Sequence, residues 1–275
     1  MDERPVLFFD SGVGGLTVLR QARALIPAIQ FIYTADDAGF PYGNWEENAL
    51  KGHILKIFTN LLTCYNPALC VIACNTVSTL MITDLRQNFP HVPFVGTVPA
   101  IKSAAEQTKS GFISVLATPG TVKRAYTNEL INAFAGQCHV QLVGSEKLAG
   151  FAEDYLRGKP IDSEELRKEI LPCFVEKDGK YTDVIVLACT HYPFLIKLFR
   201  EQALWSVKWI DPAKAIAKHI RSLLSLSDKI HQHPIKKYQD FALLTSKNIT
   251  SSTEHLLKGF GLKLIKGVDF GIREQ

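Results

Sequence analysis

The chain has 275 residues, 47% of them hydrophobic and 21% charged, which exceeds one ordinary domain and suffices for two lobes with cores of their own. Its longest apolar runs fall well short of a membrane span, and its formal charge of +4 comes from scattered Lys and Arg rather than a basic stripe, so neither a membrane protein nor a nucleic-acid binder is expected. The opening Met1-Asp2-Glu3-Arg4-Pro5 lacks the basic and apolar regions of a secretory signal. A cytoplasmic setting is therefore expected, in which the six cysteines, none in a CxxC pair, stay reduced.

Val6 to Phe9 reads as a strand, and Asp10-Ser11-Gly12-Val13-Gly14-Gly15 as a tight turn into an amphipathic helix ending near Pro27. A dinucleotide fingerprint is excluded here, because its last glycine is replaced by Thr17 and Asp10 would repel a phosphate. Phe31 to Tyr33 is a second strand, followed by the loop Asp36 to Gly43, whose Pro and Gly residues disfavour a helix. Ile54, Ile57, Phe58, Leu61, Leu62 and Tyr65 recur at helical spacing and predict a helix from Glu46 to Cys64. Leu69 to Ala73 is the central strand, Ser78 to Phe89 a helix, and Phe94-Val95 a short strand before Pro99.

The pattern then restarts. Phe112 to Leu116 is a strand running into Ala117-Thr118-Pro119-Gly120-Thr121 and a helix through Phe134, and Val140 to Val143 is another strand. An irregular stretch carrying Glu153, a helix from Glu164 to Val175, the strand Val184 to Leu187 and a short helix from Pro193 follow. Ser11 and Thr118 lie 107 residues apart and Cys74 and Cys189 lie 115 apart, offsets that two similar half-chains explain. Val207 to Ile210, a helix from Ala213 to Leu224, an exposed connection at Ser227 to Pro234, a strand at Phe241 to Leu244 and a helix from Ser252 to Phe260 complete the chain, the last two docking on the first lobe.

The chemistry concentrates in two echoed stretches, Val71-Ile72-Ala73-Cys74-Asn75-Thr76 and Val186-Leu187-Ala188-Cys189-Thr190-His191. Each places a cysteine where a buried parallel strand gives way to a helix, the position at which open α/β sheets bind ligands. The partial positive charge of a helix N-terminus favours thiolate. Opposed thiols on one small molecule suggest inversion at carbon. Asn75, Thr76 and Thr190 supply donors that suit a carboxylate, a role compatible with helix capping. Asp10 and Ser11 either hold an ammonium group or serve the turn. His191 steadies the Cys189 thiolate as an ion pair; a zinc site joining it to Cys70, Cys74 or carboxylates matches no standard spacing, so no metal is expected. Cys64, Cys70, Cys138 and Cys173 read as small hydrophobes.

Phe9-Asp10-Ser11-Gly12-Val13-Gly14-Gly15-Leu16, Pro41-Tyr42-Gly43, Ala73-Cys74-Asn75-Thr76 and Cys189-Thr190-His191-Tyr192-Pro193 together resemble the motifs of the glutamate racemases, in that family's order and over nearly the whole chain. The resemblance implies an α/β protein of two pseudo-symmetric doubly wound parallel-sheet domains, 1–98 with 210–275 and 99–209, with the active site in the cleft between them. It implies a homodimer that needs no cofactor and interconverts L- and D-glutamate for peptidoglycan. By the same resemblance Cys74 and Cys189 transfer the protons, assisted by Asp10, Glu153 and His191, while Asp10, Ser11, Tyr42, Gly43, Asn75, Thr76, Thr118, Thr121, Thr190 and His191 bind the substrate. The sequence departs from the family at Asp37, Gly39 and Ala188, where Thr, Arg and Gly are common. A related racemase acting on aspartate and a catalytically idle glutamate-binding protein are the alternatives.

Overall fold

The apolar runs become parallel strands, and the strands set where the functional residues emerge. A computed structural model describes residues 4–224, 238–247, 249–268 and 270; the polar run Ser227 to Pro234 lies outside them. The chain divides into two units, Met1–Thr97 with Ala213–Gln275 and Val98–Pro212. Among the described residues no helix is long and apolar enough to cross a membrane.

In chain order the first unit runs β1 (Val6–Asp10), α1 (Leu16–Leu25), β2 (Phe31–Ala35), α2 (Glu47–Tyr65), β3 (Leu69–Ile72), α3 (Asn75–Asn88) and β4 (Phe94–Gly96). The second follows with α4 (Ile101–Gln107), β5 (Phe112–Ala117), α5 (Pro119–Lys123), α6 (Ala125–Phe134), β6 (His139–Gly144), α7 (Leu148–Leu156) and α8 (Ser163–Ile170). It continues through the hairpin β7 (Glu176–Lys177) and β8 (Lys180–Tyr181), then β9 (Val184–Ala188), α9 (Ile196–Gln202) and β10 (Lys208–Ile210). The chain then returns to the first unit as α10 (Ala213–Leu223), β11 (Phe241–Leu244), α11 (Ser251–Gly259) and β12 (Lys263–Ile265). As expected, the Phe241 segment joins the first sheet, where β11 pairs with β2 and α10 packs on α1.

The two main sheets are parallel and share one topology. The first has the order β12-β11-β2-β1-β3-β4 and the second β6-β5-β9-β10, so β2-β1-β3-β4 in one corresponds to β6-β5-β9-β10 in the other. Register places Phe9 beside Ile72 and Ala117 beside Ala188. In such sheets the chain leaves the first strand toward one side and later returns on the other, which opens a crevice at the carboxyl ends of the central pair. Those pairs are β1 with β3, and β5 with β9.

Strands buried on both faces require covering helices, and α2 shows how the sequence meets this. Ile54, Ile57, Phe58 and Leu61 form one buried face against Leu7, Phe9 and Ile72, with the Phe9 and Phe58 rings 5.0 Å apart. Each such side chain contributes about 1.5–3 kcal/mol through burial. The helix ends at Asn66, whose φ of 40° is a left-handed conformation that Asn tolerates.

Three expectations change. Glu153 lies on a regular helix, α7, rather than in an irregular stretch. The helix after β3 begins at Asn75, directly after Cys74 and before the expected Ser78. The helix expected to continue to Val175 stops at Ile170, and a 3-10 turn over Leu171–Cys173 follows because Pro172 cannot donate a backbone hydrogen bond. The hairpin β7–β8, turned through Asp178 and Gly179 at positive φ, and the three-residue β12 are too short to show a period of two.

Candidate active site

At the end of β1, Asp10 is fully buried. Its Oδ1 accepts the Ser11 backbone N–H at 2.7 Å, and its Oδ2 accepts the Gly15 N–H. The carboxylate therefore ties down the turn, which requires glycine at 15: a Cβ there would stand 2.8 Å from Ala73 Cβ. The turn aims the Ser11 hydroxyl at the neighbouring strand end, where its Oγ lies 3.8 Å from Cys74 Sγ. Cys74 is extended, with φ of −136°, and immediately precedes α3. The first N–H groups of that helix have no intrahelical acceptors and give its end a partial positive charge. Asn75, on the first turn, is 3% exposed, and neither polar atom of its amide has a hydrogen-bond partner among the described residues.

The loop after β2 brings Tyr42 and Gly43 to the same unit. The Tyr42 hydroxyl donates to Asp36 Oδ2 at 2.5 Å, His53 Nε2 lies 2.6 Å from that oxygen, and the Thr245 hydroxyl donates to Asp36 Oδ1 at 2.6 Å. Burial works against the Asp36 charge, but the hydrogen bond and charge of His53, with Thr245 and Tyr42, outweigh it and hold the carboxyl below its usual range. Burial, followed by the nearby charges of Asp36, Cys74 and Asp10, pushes the Tyr42 phenol well up, so it remains a donor.

In the second unit, β9 delivers Cys189, but no helix starts there. Cys189 is followed by a turn, closed by Tyr192 N–H donating to Cys189 O at 3.1 Å, and a 3-10 helix over Tyr192–Leu195. The expectation of a helix N-terminus behind both thiols thus holds for Cys74 and fails for Cys189, which a turn and the 3-10 helix follow instead. Its partner is a side chain instead: His191 Nδ1 lies 3.8 Å from Cys189 Sγ, and His191 Nε2 lies 2.9 Å from Glu153 Oε1. Burial disfavours the His191 charge, yet the hydrogen bonds and charges of Cys189 and Glu153 raise its pKa well above the ordinary value. At the adjacent end of β5, Thr118 caps α5, with its hydroxyl 3.1 Å from that of the buried Thr121.

Within the first unit the fold thus gathers Asp10, Ser11, Tyr42, Gly43, Cys74, Asn75 and Thr76 at the loops following the strands. Within the second it gathers Thr118, Thr121, Glu153, Cys189, Thr190 and His191. Cys70 and Cys173 are buried, and burial pushes their thiols up. Among the described residues no group of three or more His, Cys, Asp and Glu side chains is placed to share a metal ion.

The chain has known relatives. Residues 20–220 match the family model described as Asp/Glu/Hydantoin racemase. The chain belongs to that family. It is 89% identical to a glutamate racemase of Bartonella tribocorum over 275 residues, all of both chains, and 59% identical to one of Agrobacterium fabrum over 261 residues, covering 95% of this chain and 94% of the relative. The crystal structure of the Escherichia coli glutamate racemase in complex with L-glutamate and the activator UDP-MurNAc-Ala superposes with a TM-score of 0.83 at 35% identity, covering 96% of this chain and 97% of that one. The family is one of isomerases.

For this racemase-family chain, three positions that sequence reasoning passed over touch the site. Asp36 and His53 anchor Tyr42, and Arg157 Nη1 stands 2.7 Å from Glu153 Oε2. Only Arg157 carried a sequence signal, since an Arg four residues after a Glu on a helix is an ion-pair pattern.

Proposed function

We propose that the chain is a glutamate racemase in which Cys74 and Cys189 exchange the roles of base and acid at the α-carbon. One thiolate removes the α-proton, and the other thiol protonates the planar carbanion on its opposite face. The observation that carries this reading is that two topologically equivalent strand ends each present a buried thiol beside a polar partner, Ser11 for Cys74 and His191 for Cys189. The reactions in the two directions are then each other's reverse.

The flanking groups suit an amino acid. Asn75 and Thr76 at the start of α3, with Thr190, are donors for the α-carboxylate, where charge grows as the carbanion forms. The unmet amide of Asn75 supports a polar ligand there, since a buried amide without partners costs about 1–3 kcal/mol. Asp10, Ser11, Tyr42, Gly43, Thr118, Thr121 and His191 complete the proposed binding set, and Glu153 supports His191. Glutamate is favoured over aspartate because the relatives at high identity are glutamate racemases and the E. coli neighbour was solved with L-glutamate. The product D-glutamate would feed peptidoglycan synthesis in the cytoplasm, and we read the working unit as a homodimer.

Purified protein incubated separately with L-glutamate, D-glutamate and L-aspartate, and followed by circular dichroism, tests the reading. Loss of optical activity from both glutamate enantiomers is expected. Turnover of aspartate in preference to glutamate, or of neither, would overturn it.

A further inference from the structure

Glu153 sits on α7 with its side chain 8% exposed, and its two oxygens face different partners. Oε1 meets His191 Nε2 at 2.9 Å, and Oε2 pairs with Arg157 Nη1 at 2.7 Å. Arg157 closes the same helix: its backbone N–H donates to the carbonyls of Glu153 at 3.2 Å and Asp154 at 3.1 Å, which fixes the root of its side chain. Four groups therefore follow one another, the Arg157 guanidinium, the Glu153 carboxylate, the His191 imidazole and the Cys189 sulfur.

We propose that Arg157 is a positioning residue for Cys189, acting through Glu153 and His191 without touching the substrate. An exposed Glu–Arg pair four residues apart on a helix does little. This pair differs because the carboxylate is buried and its other oxygen grips the histidine that faces a thiol. Arginine is the member of the series that cannot lose its charge in the working pH range, so it secures the ionised state of the carboxylate next to it. Without it, Glu153 has less reason to remain ionised and aimed at His191. The imidazole then loses the partner at Nε2 that keeps its Nδ1 facing the Cys189 sulfur, and the thiol loses reactivity. Tyr192 also stands near this sulfur, its phenol raised by burial and by the charges of Cys189 and then Cys173 and Glu169.

The inference rests on the racemase reading only for its catalytic consequence, so its test is made without substrate. Rates of iodoacetamide alkylation are measured across pH for Cys189 in the full-length protein, resolved by peptide mass spectrometry, with Arg157→Gln and Arg157→Lys compared to the unsubstituted chain. Both substitutions keep an unbranched polar side chain, and melting temperatures confirm folding. Arg157→Gln should slow Cys189 labelling about tenfold at neutral pH, and Arg157→Lys should restore most of it. The exposed Cys64 serves as an internal reference whose profile stays put. Identical Cys189 profiles in all three proteins would overturn the positioning role. A shifted profile in a protein that does not racemise glutamate would instead sink the racemase reading and leave the positioning role standing.

Discussion

The Tyr42 hydroxyl is held at 2.5 Å from Asp36 Oδ2, so the loop that carries Tyr42 and Gly43 is fixed by a carboxylate six residues earlier. Asp36 also receives His53 from α2 and Thr245 from the end of β11. Asp36→Asn keeps the shape but cannot satisfy all three partners, and Asp36→Ala satisfies none. The alanine variant should lose about 3–5 kcal/mol, the usual cost of breaking a buried charged network, with the asparagine variant between it and the unsubstituted chain. The pH dependence has a definite sign. The folded carboxyl lies below the ordinary value of 3.8, so its stabilisation is fully present above that value and disappears as pH falls through the folded one. Urea midpoints between pH 3 and 7 should show the gap between the unsubstituted protein and Asp36→Asn narrowing only in acid; a gap constant across that range would show that Asp36 is not the charged hub.

The same carboxylate explains a departure from the family pattern. A Cβ at Gly39 would stand 2.4 Å from Asp36 Oδ2 and 3.0 Å from Tyr42 Cε1, so this loop conformation has no place for the arginine common elsewhere. Asp37 likewise joins the network, accepting the Ser246 backbone N–H at 2.9 Å. Gly39→Ala should cost about 1–3 kcal/mol as an overpacked position and lower turnover by displacing Tyr42. Thermal melts alongside initial rates check this, and an unchanged melt with full activity would mean that the loop opens without cost.

What the sequence made legible and what it hid separate along physical lines. Val6 to Phe9 and Val184 to Ala188 are uniformly buried apolar runs, and such runs announce parallel strands without reference to anything distant. The thiols and their following polar residues were legible as a repeated local pattern. The partners of Asp36 were not, because Thr245 is 209 residues away and His53 lies on a helix read only for its apolar face. Cys189 misled because a strand end beside Thr and His looks like a helix start, whereas a turn and a 3-10 helix over Tyr192–Leu195 follow it.

Asp10 and Ser11 now separate into different roles. Asp10 accepts two backbone N–H groups, and an asparagine there would turn an amide donor toward one of them. Asp10→Asn should therefore lose about 1–3 kcal/mol of stability as well as activity, a larger structural share than the turn sequence suggests. Ser11→Ala leaves those bonds intact and removes the hydroxyl facing Cys74, so turnover should fall about tenfold with little change in melting temperature, as expected for one lost hydrogen bond to a reacting group. A Ser11→Ala variant with full activity would place the Cys74 partner elsewhere.

Burial divides the thiols by reactivity. Cys70 and Cys173 are buried in apolar surroundings that push their pKa values up, while Cys64 is exposed. Site-resolved alkylation of the native protein at pH 8 should label Cys64 readily and leave Cys70 and Cys173 unmodified until the protein is denatured. Cys64→Ala should retain full racemase activity, whereas Cys74→Ala and Cys189→Ala should each abolish it with folding intact. Inactivation by Cys64→Ala would reassign the chemistry.

The final prediction concerns how protons move. If Cys74 and Cys189 serve opposite faces, the group that takes the substrate proton is never the one that delivers the product proton, and the delivering thiol has exchanged with solvent beforehand. A brief reaction of L-glutamate in deuterium oxide should then give D-glutamate carrying deuterium at the α-carbon, while the recovered L-glutamate keeps its original hydrogen. A single base serving both faces gives the opposite pattern: product that retains hydrogen by internal return, or substrate that exchanges before it inverts. Mass spectra of the separated enantiomers at low conversion distinguish these outcomes. The partners found for each thiol sharpen the expectation, since His191 is positioned to hold a proton for Cys189 and Ser11 to hydrogen-bond Cys74. Extensive early deuterium in recovered L-glutamate would mean that one of these arms does both jobs, and the two strand ends would no longer be a catalytic pair.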